Sequence, residues 1–413
     1  MNRMTQDSID VRGDARPALT SLRFVAALLV FITHIAFLAP FANPAISESF
    51  STIAHDAGYL GVSFFFVLSG FVLTWSARVG DRVRDFYRRR FMKIVPNHLV
   101  VFGPAVAVTF VIGLGMGVVP ILVNYLFLLQ AWVWNFEFAA QSPNSPTWSL
   151  GVEVFFYAVF PLFYLLVRRI RRERVWSWWV VSGLIILAIP FVVGAVTPSG
   201  PASPAFDGGT WLQQKLLLFF PITRLPEFVL GMLTARLVQE RRFVGIGLGW
   251  STVLCVVVYI VALFLPHIYA FAGLWAFPVA LLIGAAASRD PRKPGLLESR
   301  PVVWAGEASY AFYLIHLPLM LLALFVVGRL QPDGPEGPFA KMGTIPAILF
   351  ILGLVIVTLL VSRLLFIAVE RPAMRRWARS RGDDAGRRST TGNGGTTAPT
   401  GDGGTDRPGR TVS

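Results

Sequence analysis

Two ionisable side chains, Arg23 and His34, interrupt the otherwise apolar run LTSLRFVAALLVFITHIAFLAP at residues 19–40. A helix turns about 100° per residue, so eleven steps bring His34 back to within about 20° of the face that carries Arg23. At the helical rise the two lie about 16 Å apart along the axis. In a bilayer this spacing puts Arg23 near one surface and His34 well inside. An imidazole at that depth must face protein or water, and the chemistry it offers there is proton transfer. A structural histidine bonded to a neighbouring helix would leave the same trace in the sequence.

Other polar residues fall inside apolar segments. Glu153, in TWSLGVEVFFY, lies about one and a half turns below the outer surface in the topology given below, level with His34. A carboxylate beside that histidine would fix its tautomer and stabilise the imidazolium. Pairing with Arg224, or capping of a helix start, accounts for Glu153 equally well. Tyr157 is one turn further on, on the same face. Arg224 and Glu227, in ITRLPEFVLGM, are three apart and read first as a local ion pair at a proline-bent helix. His316, in SYAFYLIHLP, is either a second catalytic group or a core histidine on a carbonyl freed by Pro318. Ser69 and Gly70 allow close helix approach, and Ser69 is also a candidate nucleophile.

Seven cationic residues between Arg78 and Lys93 exceed what a topogenic signal needs. Arg90 and Lys93 are three apart, on one helical face at the membrane surface. Arginine forks bind phosphate bidentately, so this stretch suits a phosphorylated cytosolic ligand; anchoring to anionic headgroups is the plainer reading. A phosphate clamp inside, with a base about 16 Å further out on one face, suits a donor with a phosphorylated head and a long thin reactive arm. Coenzyme A thioesters have that shape. The chemistry expected is acyl transfer from acyl-CoA to a hydroxyl presented near His34.

The elements that must hold these groups are transmembrane helices. The 413 residues are 54% hydrophobic and 15% charged, and apolar runs of about 20 residues recur along them. Eleven apolar segments are legible: 19–39, 58–77, 94–116, 118–134, 148–167, 175–195, 213–236, 245–265, 268–287, 302–328 and 343–368. Basic clusters follow at Arg78–Lys93, Arg168–Arg174, Arg236–Arg242, Arg289–Arg300 and Arg371–Arg381. All of them share one side only if one early segment fails to cross. Residues 118–134 fit that role, being short, preceded by a glycine-rich bend and ended by Trp132, Trp134 and Phe136. The expected fold is therefore all-α and polytopic, with about ten transmembrane helices, one re-entrant or interfacial segment and both termini cytoplasmic. Residues 1–18 form a polar tail, 19–370 the membrane domain, and 371–413 a basic tail that is disordered beyond 381. The net charge of +14 sits at helix ends, which argues against a nucleic-acid partner. One cysteine and five scattered histidines give neither a disulfide nor a metal signature. No secretory leader is expected, because the first helix is too long for one.

Seven motifs in order give the chain a resemblance to the acyltransferase-3 family of bacterial integral membrane O-acyltransferases. They are LRFVAALLVFITH (22–34), GVSFFFVLSGFVL (61–73), RRRFMKIVP (88–96), TWSLGVEVFFYAVFP (147–161), RLPEFVLGM (224–232), SYAFYLIHLPL (309–319) and VERP (369–372). The resemblance covers about 19–372. It implies that His34 is the essential helix-1 histidine, with Arg23 its partner in an R-x10-H motif. It also implies that Arg90 and Lys93 occupy the RxxR motif, where lysine replaces the second arginine and loses its planar fork. Members move acyl groups, often acetyl, onto surface glycans or onto macrolides and their sugars. The expected partners are acyl-CoA, acetyl-CoA foremost, as co-substrate without a bound cofactor, a hydroxylated glycan or glycosylated small molecule as acceptor, and the lipid of a bacterial plasma membrane.

On this reading His34 is the general base and Glu153 orients it, while Arg90 and Lys93, joined by Arg88 and Arg89, hold the CoA phosphates. Arg23 guides the donor arm. Trp148, Tyr313, Ser69, Tyr157, Arg224, Glu227 and His316 support the substrate or the site. A covalent acyl intermediate on His34 or Ser69 is the alternative route. The rival from another class is a transporter or flippase, against which the sequence shows no inverted repeat.

Overall fold

Pro17 opens the first helix, α1 (Pro17–Phe37), at a position where its missing N–H costs nothing. The helix ends because Ala39 turns to a positive φ of 45° just ahead of Pro40. The computed structural model describes residues 16–77, 82–113, 119–134, 142–202, 209–270, 273–290, 293–331 and 339–377. The expected N-terminal tail up to residue 15 and the expected disordered tail from 381 lie outside the described residues. Asn43 caps α2 (Pro44–Ala54) by accepting from the N–H groups of Ala45 and Ile46. There follow α3 (Ala57–Trp75), α4 (Val83–Val111), α5 (Val119–Leu126), α6 (Trp148–Arg169), α7 (Val175–Val196) and α8 (Pro221–Gln239). The chain continues as α9 (Gly247–Ala262), α10 (Ala276–Ala287), α11 (Arg300–Glu307), α12 (Ser309–Arg329), α13 (Thr344–Leu365) and α14 (Arg371–Trp377).

Among the described residues, eight helical stretches are long and apolar enough to cross a membrane, and α9 and α10 are shorter apolar helices. The protein is an all-α, polytopic membrane protein. Two boundaries differ from those read in the sequence. The apolar run at 94–116 belongs to a helix that already begins at Val83, so Arg90 and Lys93 project from the first turns of a spanning helix. The run at 302–328 breaks at Ala308 into α11 and α12. Residues 119–134 hold one eight-residue helix and turns, in line with the expected segment that does not cross.

The basic helix ends gather on one side. Arg236, at the end of α8, donates to the Val167 carbonyl at the end of α6. Gln239 reaches the carbonyls of Thr74 and Trp75 at 3.5 Å, which brings in the end of α3. Arg16 lies over the Trp75 ring, 4.7 Å from its centroid, and Phe86 at the start of α4 stacks on Phe160 of α6 at 5.1 Å. We call this the basic end.

Glycines set the tightest contacts. A Cβ on Gly70 would lie 1.9 Å from the Phe228 carbonyl oxygen, and one on Gly231 would lie 1.9 Å from that of Val67. Helices α3 and α8 therefore touch backbone to backbone, the close approach expected at Gly70. The crossing carries a buried network: Arg224 binds Glu227 at 3.0 Å and Ser63 at 3.0 Å. Gly70→Ala must push these backbones apart, at a cost of about 1–3 kcal/mol. Gly103→Ala on α4, where the added methyl meets nothing within 4 Å, should be neutral or stabilise by about 0.5–1 kcal/mol. Thermal unfolding in detergent checks the contrast: the melting point should fall for the first variant and hold or rise for the second.

Candidate active site

Between α1, α3, α4, α6 and α12 lies a pocket of about 870 Å³, counted out to the solvent at its open mouth. Three cations line it: Arg23 from α1, and Arg90 and Lys93 from α4. Ser149, Glu153 and Tyr157 of α6, Ser69 of α3 and Tyr310 and Tyr313 of α12 complete its polar wall, and Val62, Phe65 and Phe66 supply apolar surface. Of the five residues expected to hold the donor, Arg23, Arg90 and Lys93 line the pocket, and Glu153 joins them from α6, so the bundle brings together groups from three helices far apart in the chain. Arg90 Nε is buried with no hydrogen-bond partner among the described residues. Its guanidinium lies 5.7 Å from the ring centroids of both Phe86 and Tyr157. Lys93 is paired with Glu370. Arg88 pairs with Asp85 at 3.6 Å, and neither Arg88 nor Arg89 lines the pocket.

His34 sits beyond the far end of this pocket, half-buried against α12. Its Nδ1 donates to the Val30 carbonyl at 2.8 Å. His316 donates from Nδ1 to the Tyr313 carbonyl at 2.6 Å, so its Nε2 carries the lone pair and faces His34 Nδ1 at 3.4 Å. The same network fixes the tautomer of His34: Nδ1 holds the hydrogen and Nε2 is the basic nitrogen. The two rings meet edge-on at 5.1 Å, and Phe37 closes on His34 from the outer side at 6.1 Å. The His316 side chain is fully buried.

Glu153 is not the partner of this histidine. Its carboxylate accepts from Tyr157, one turn along the same helix, and from Ser69 at 3.4 Å. The reason is depth. Ser149 bonds the Tyr313 hydroxyl at 2.5 Å, and eleven residues later Phe160 reaches Phe86 at the basic end. Helix α6 thus starts at the level of Tyr313, inside the bundle, and runs away from His316. Four residues down α6 plus three up α12 separate Glu153 from His316 by about 10 Å along the axis. The expectation that Glu153 and His34 are level assumed that α6 begins at the outer surface. Glu153 does not pair with Arg224 either, since Arg224 is engaged by Glu227 and Ser63 and stands over Phe66 at 5.2 Å. That pair joins α8 to α3 and does not line the pocket. Trp148 packs edge-on against Phe66 at 6.3 Å and Phe219 at 4.8 Å.

Tyr313 separates the pocket from the imidazole pair. Its ring lies 5.8 Å from Phe65 and 5.7 Å from His316, and its hydroxyl also donates to the Pro146 carbonyl at 2.8 Å. Residues missed in the sequence hold this wall in place. Pro318 has no N–H, which frees the Leu314 carbonyl. Asn144 donates to that carbonyl at 2.7 Å, a bond the sequence reading offered to His316. Gln130 donates to Thr147 at 2.9 Å, and the Leu128 carbonyl lies where a Cβ on Gly151 would be 2.4 Å away. Residues 125–134 and 142–149 are thereby packed into the bundle. The orphan carbonyl at Leu314 was the available signal; the donor that answers it lies 170 residues away.

Comparison with known proteins adds a family. The profile of the acyltransferase domain matches residues 16–367. Acyltransferase MdmB of Streptomyces mycarofaciens is 36% identical over 375 residues, 88% of this chain and 93% of that protein. The peptidoglycan O-acetyltransferase OatA of Listeria monocytogenes is 23% identical over 351 residues, 77% of this chain and 51% of its own. The O-acetyltransferase OatA of Staphylococcus aureus is 26% identical over 345 residues, 78% of this chain and 53% of its own. The chain thus spans nearly the whole of the first relative and about half of the other two. No solved structure matches it.

Proposed function

The chain belongs to the acyltransferase domain family, and on that footing we propose that it moves an acyl group, acetyl foremost, from acyl-CoA to a hydroxyl of a carbohydrate-containing acceptor. It is an acyl-transferring enzyme of the membrane, and the carrier reading left open by composition is set aside by relatives named acyltransferases. The observation that carries the donor assignment is the pocket itself. It joins Arg23 and Arg90 at the basic end to Tyr313, whose ring packs against the His316–His34 pair. Phosphates suit the arginine end, and a thin arm suits the apolar passage between α3 and α12. With the basic end facing the cytoplasm of a bacterial plasma membrane, the donor enters from the cytosol and both termini lie on that side. A cell-envelope glycan or a macrolide-type metabolite is the acceptor class we propose.

In the reaction the acceptor oxygen attacks the thioester carbonyl while His34 Nε2 takes its proton. The new imidazolium keeps its Nδ1–H on the Val30 carbonyl, with His316 Nε2 as a second acceptor. The tetrahedral intermediate then expels the CoA thiolate, which regains the proton from His34. The ester and CoA thiol leave, and the atoms balance. His316 thus has the part that the sequence reading gave to Glu153. Glu153, bonded to Ser69 and Tyr157, shapes the passage below.

The test is acceptor-dependent release of CoA thiol. Purified protein in nanodiscs receives labelled acetyl-CoA and an envelope-glycan or macrolide pool. Label should move to a hydroxyl of one acceptor as thiol appears in equal amount. Thiol release at the same rate in protein-free nanodiscs, with no labelled product, would reject the reading.

A further inference from the structure

The terminal VERP motif takes no part in the chemistry above, yet its glutamate reaches the donor pocket. Glu370 ends the π-turn Phe366–Glu370 between α13 and α14 and is 2% exposed. Turns of this kind recur at functional sites. Both carboxylate oxygens are taken up by α4: one binds the Lys93 ammonium, and the other accepts from Asn97 Nδ2 at 2.9 Å. Lys93 at the same time lines the pocket beside Arg23 and Arg90, with its ammonium 5.4 Å from the Tyr310 ring centroid. A charge-assisted bond to a buried carboxylate fixes the ammonium and offsets its charge. A phosphate reaching Lys93 thus meets an ammonium whose charge a buried carboxylate already offsets and whose position that carboxylate sets.

We infer that Glu370 is a positioning residue that withholds Lys93 from the donor phosphates, leaving Arg23 and Arg90 to bind them, and so keeps the CoA product releasable. The inference rests on the acyl-CoA reading above. A cation added to the phosphate site would bind acyl-CoA and CoA alike. Such uniform binding does not speed the chemical step, and it slows product departure.

The experiment measures CoA as a product inhibitor and by direct calorimetric binding, in wild type, Glu370→Gln, Lys93→Gln and the double variant. Glu370→Gln frees an ammonium toward the phosphates, so its CoA inhibition constant should fall by about three- to tenfold and depend more steeply on salt. Lys93→Gln leaves the carboxylate alone near the phosphates, so the constant should rise. The double variant, neutral for neutral, should return to within about twofold of wild type. Glu370→Asp keeps the charge and should also stay near wild type, which covers the case in which Glu370→Gln does not fold. If Lys93 itself ligates phosphate, Glu370→Gln will not tighten CoA and the double variant will be as weak as Lys93→Gln; that result overturns the inference alone. Lower thermal stability with an unchanged CoA constant per folded protein, the mark of a purely structural role, also overturns it alone. A wild type that binds no CoA overturns both this inference and the donor assignment.

Discussion

His34→Ala is expected to cost acyl transfer about 10²–10⁴ in kcat with the protein still inserted and folded. The size follows from what the imidazole does. Nδ1 is committed to the Val30 carbonyl, so Nε2 is the nitrogen left to take the acceptor proton. His316 faces Nδ1 with its own lone pair at 3.4 Å, which gives the positive charge formed during attack a second acceptor. His316→Ala should therefore lose less than His34→Ala, because the base survives with its tautomer held by Val30. His316→Gln, whose amide oxygen can still accept from His34, should retain more activity than His316→Ala. Rates per folded protein, with equal chromatographic profiles, check the series. Equal losses for the Ala and Gln variants of His316 would remove it from the proton path.

Arg90→Ala should raise the KM for acyl-CoA by about ten- to a hundredfold and leave kcat at saturation close to wild type. A charged hydrogen bond to a phosphate is worth about 1.5–3 kcal/mol. The rise appears in KM because the phosphates sit far from the reacting carbon and bind alike in ground and transition states. The Arg90 side chain suits this role: its Nε has no described partner, and the Phe86 and Tyr157 rings hold its plane at the pocket wall. Arg90→Lys keeps charge but loses the fork, so its KM should fall between the two. Arg23→Ala should act in the same direction, since Arg23 lines the same pocket from α1. A kcat defect at unchanged KM would place Arg90 at the chemistry instead of at the donor head.

Much of this architecture is written locally. Apolar runs of membrane length announce the helices, Pro17 and the Ala39–Pro40 stop bound the first of them, and Gly70 marks the backbone contact with α8. The eleven-residue spacing of Arg23 and His34 puts one toward the basic end and the other in the last turn of α1, half-buried against α12, as a straight helix must. The depth of Glu153 was not legible, because it depends on where α6 starts. That start is fixed by Asn144 on the Leu314 carbonyl and Ser149 on Tyr313, contacts across 170 and 164 residues. The partner of His34 was missed for the same reason: His316 is 282 residues away, and a histidine two residues before a proline reads equally as core. The pairing of Lys93 with a carboxylate was not legible, because its own segment is strongly basic. Its carboxylate lies 277 residues further on, beside an arginine that would serve equally well as its partner in the sequence.

The central claim is that a donor entering at Arg23 and Arg90 delivers its acyl carbon past Tyr313 to His34. A structure of the protein with a non-transferable acetyl-CoA analogue tests it most directly. Phosphates are expected on Arg23 and Arg90, with a displaced Tyr313 ring and the carbonyl carbon one hydroxyl's width from His34 Nε2. An analogue whose carbonyl stops beside Ser69 and Glu153, with Tyr313 still bonded to Ser149, would contradict it.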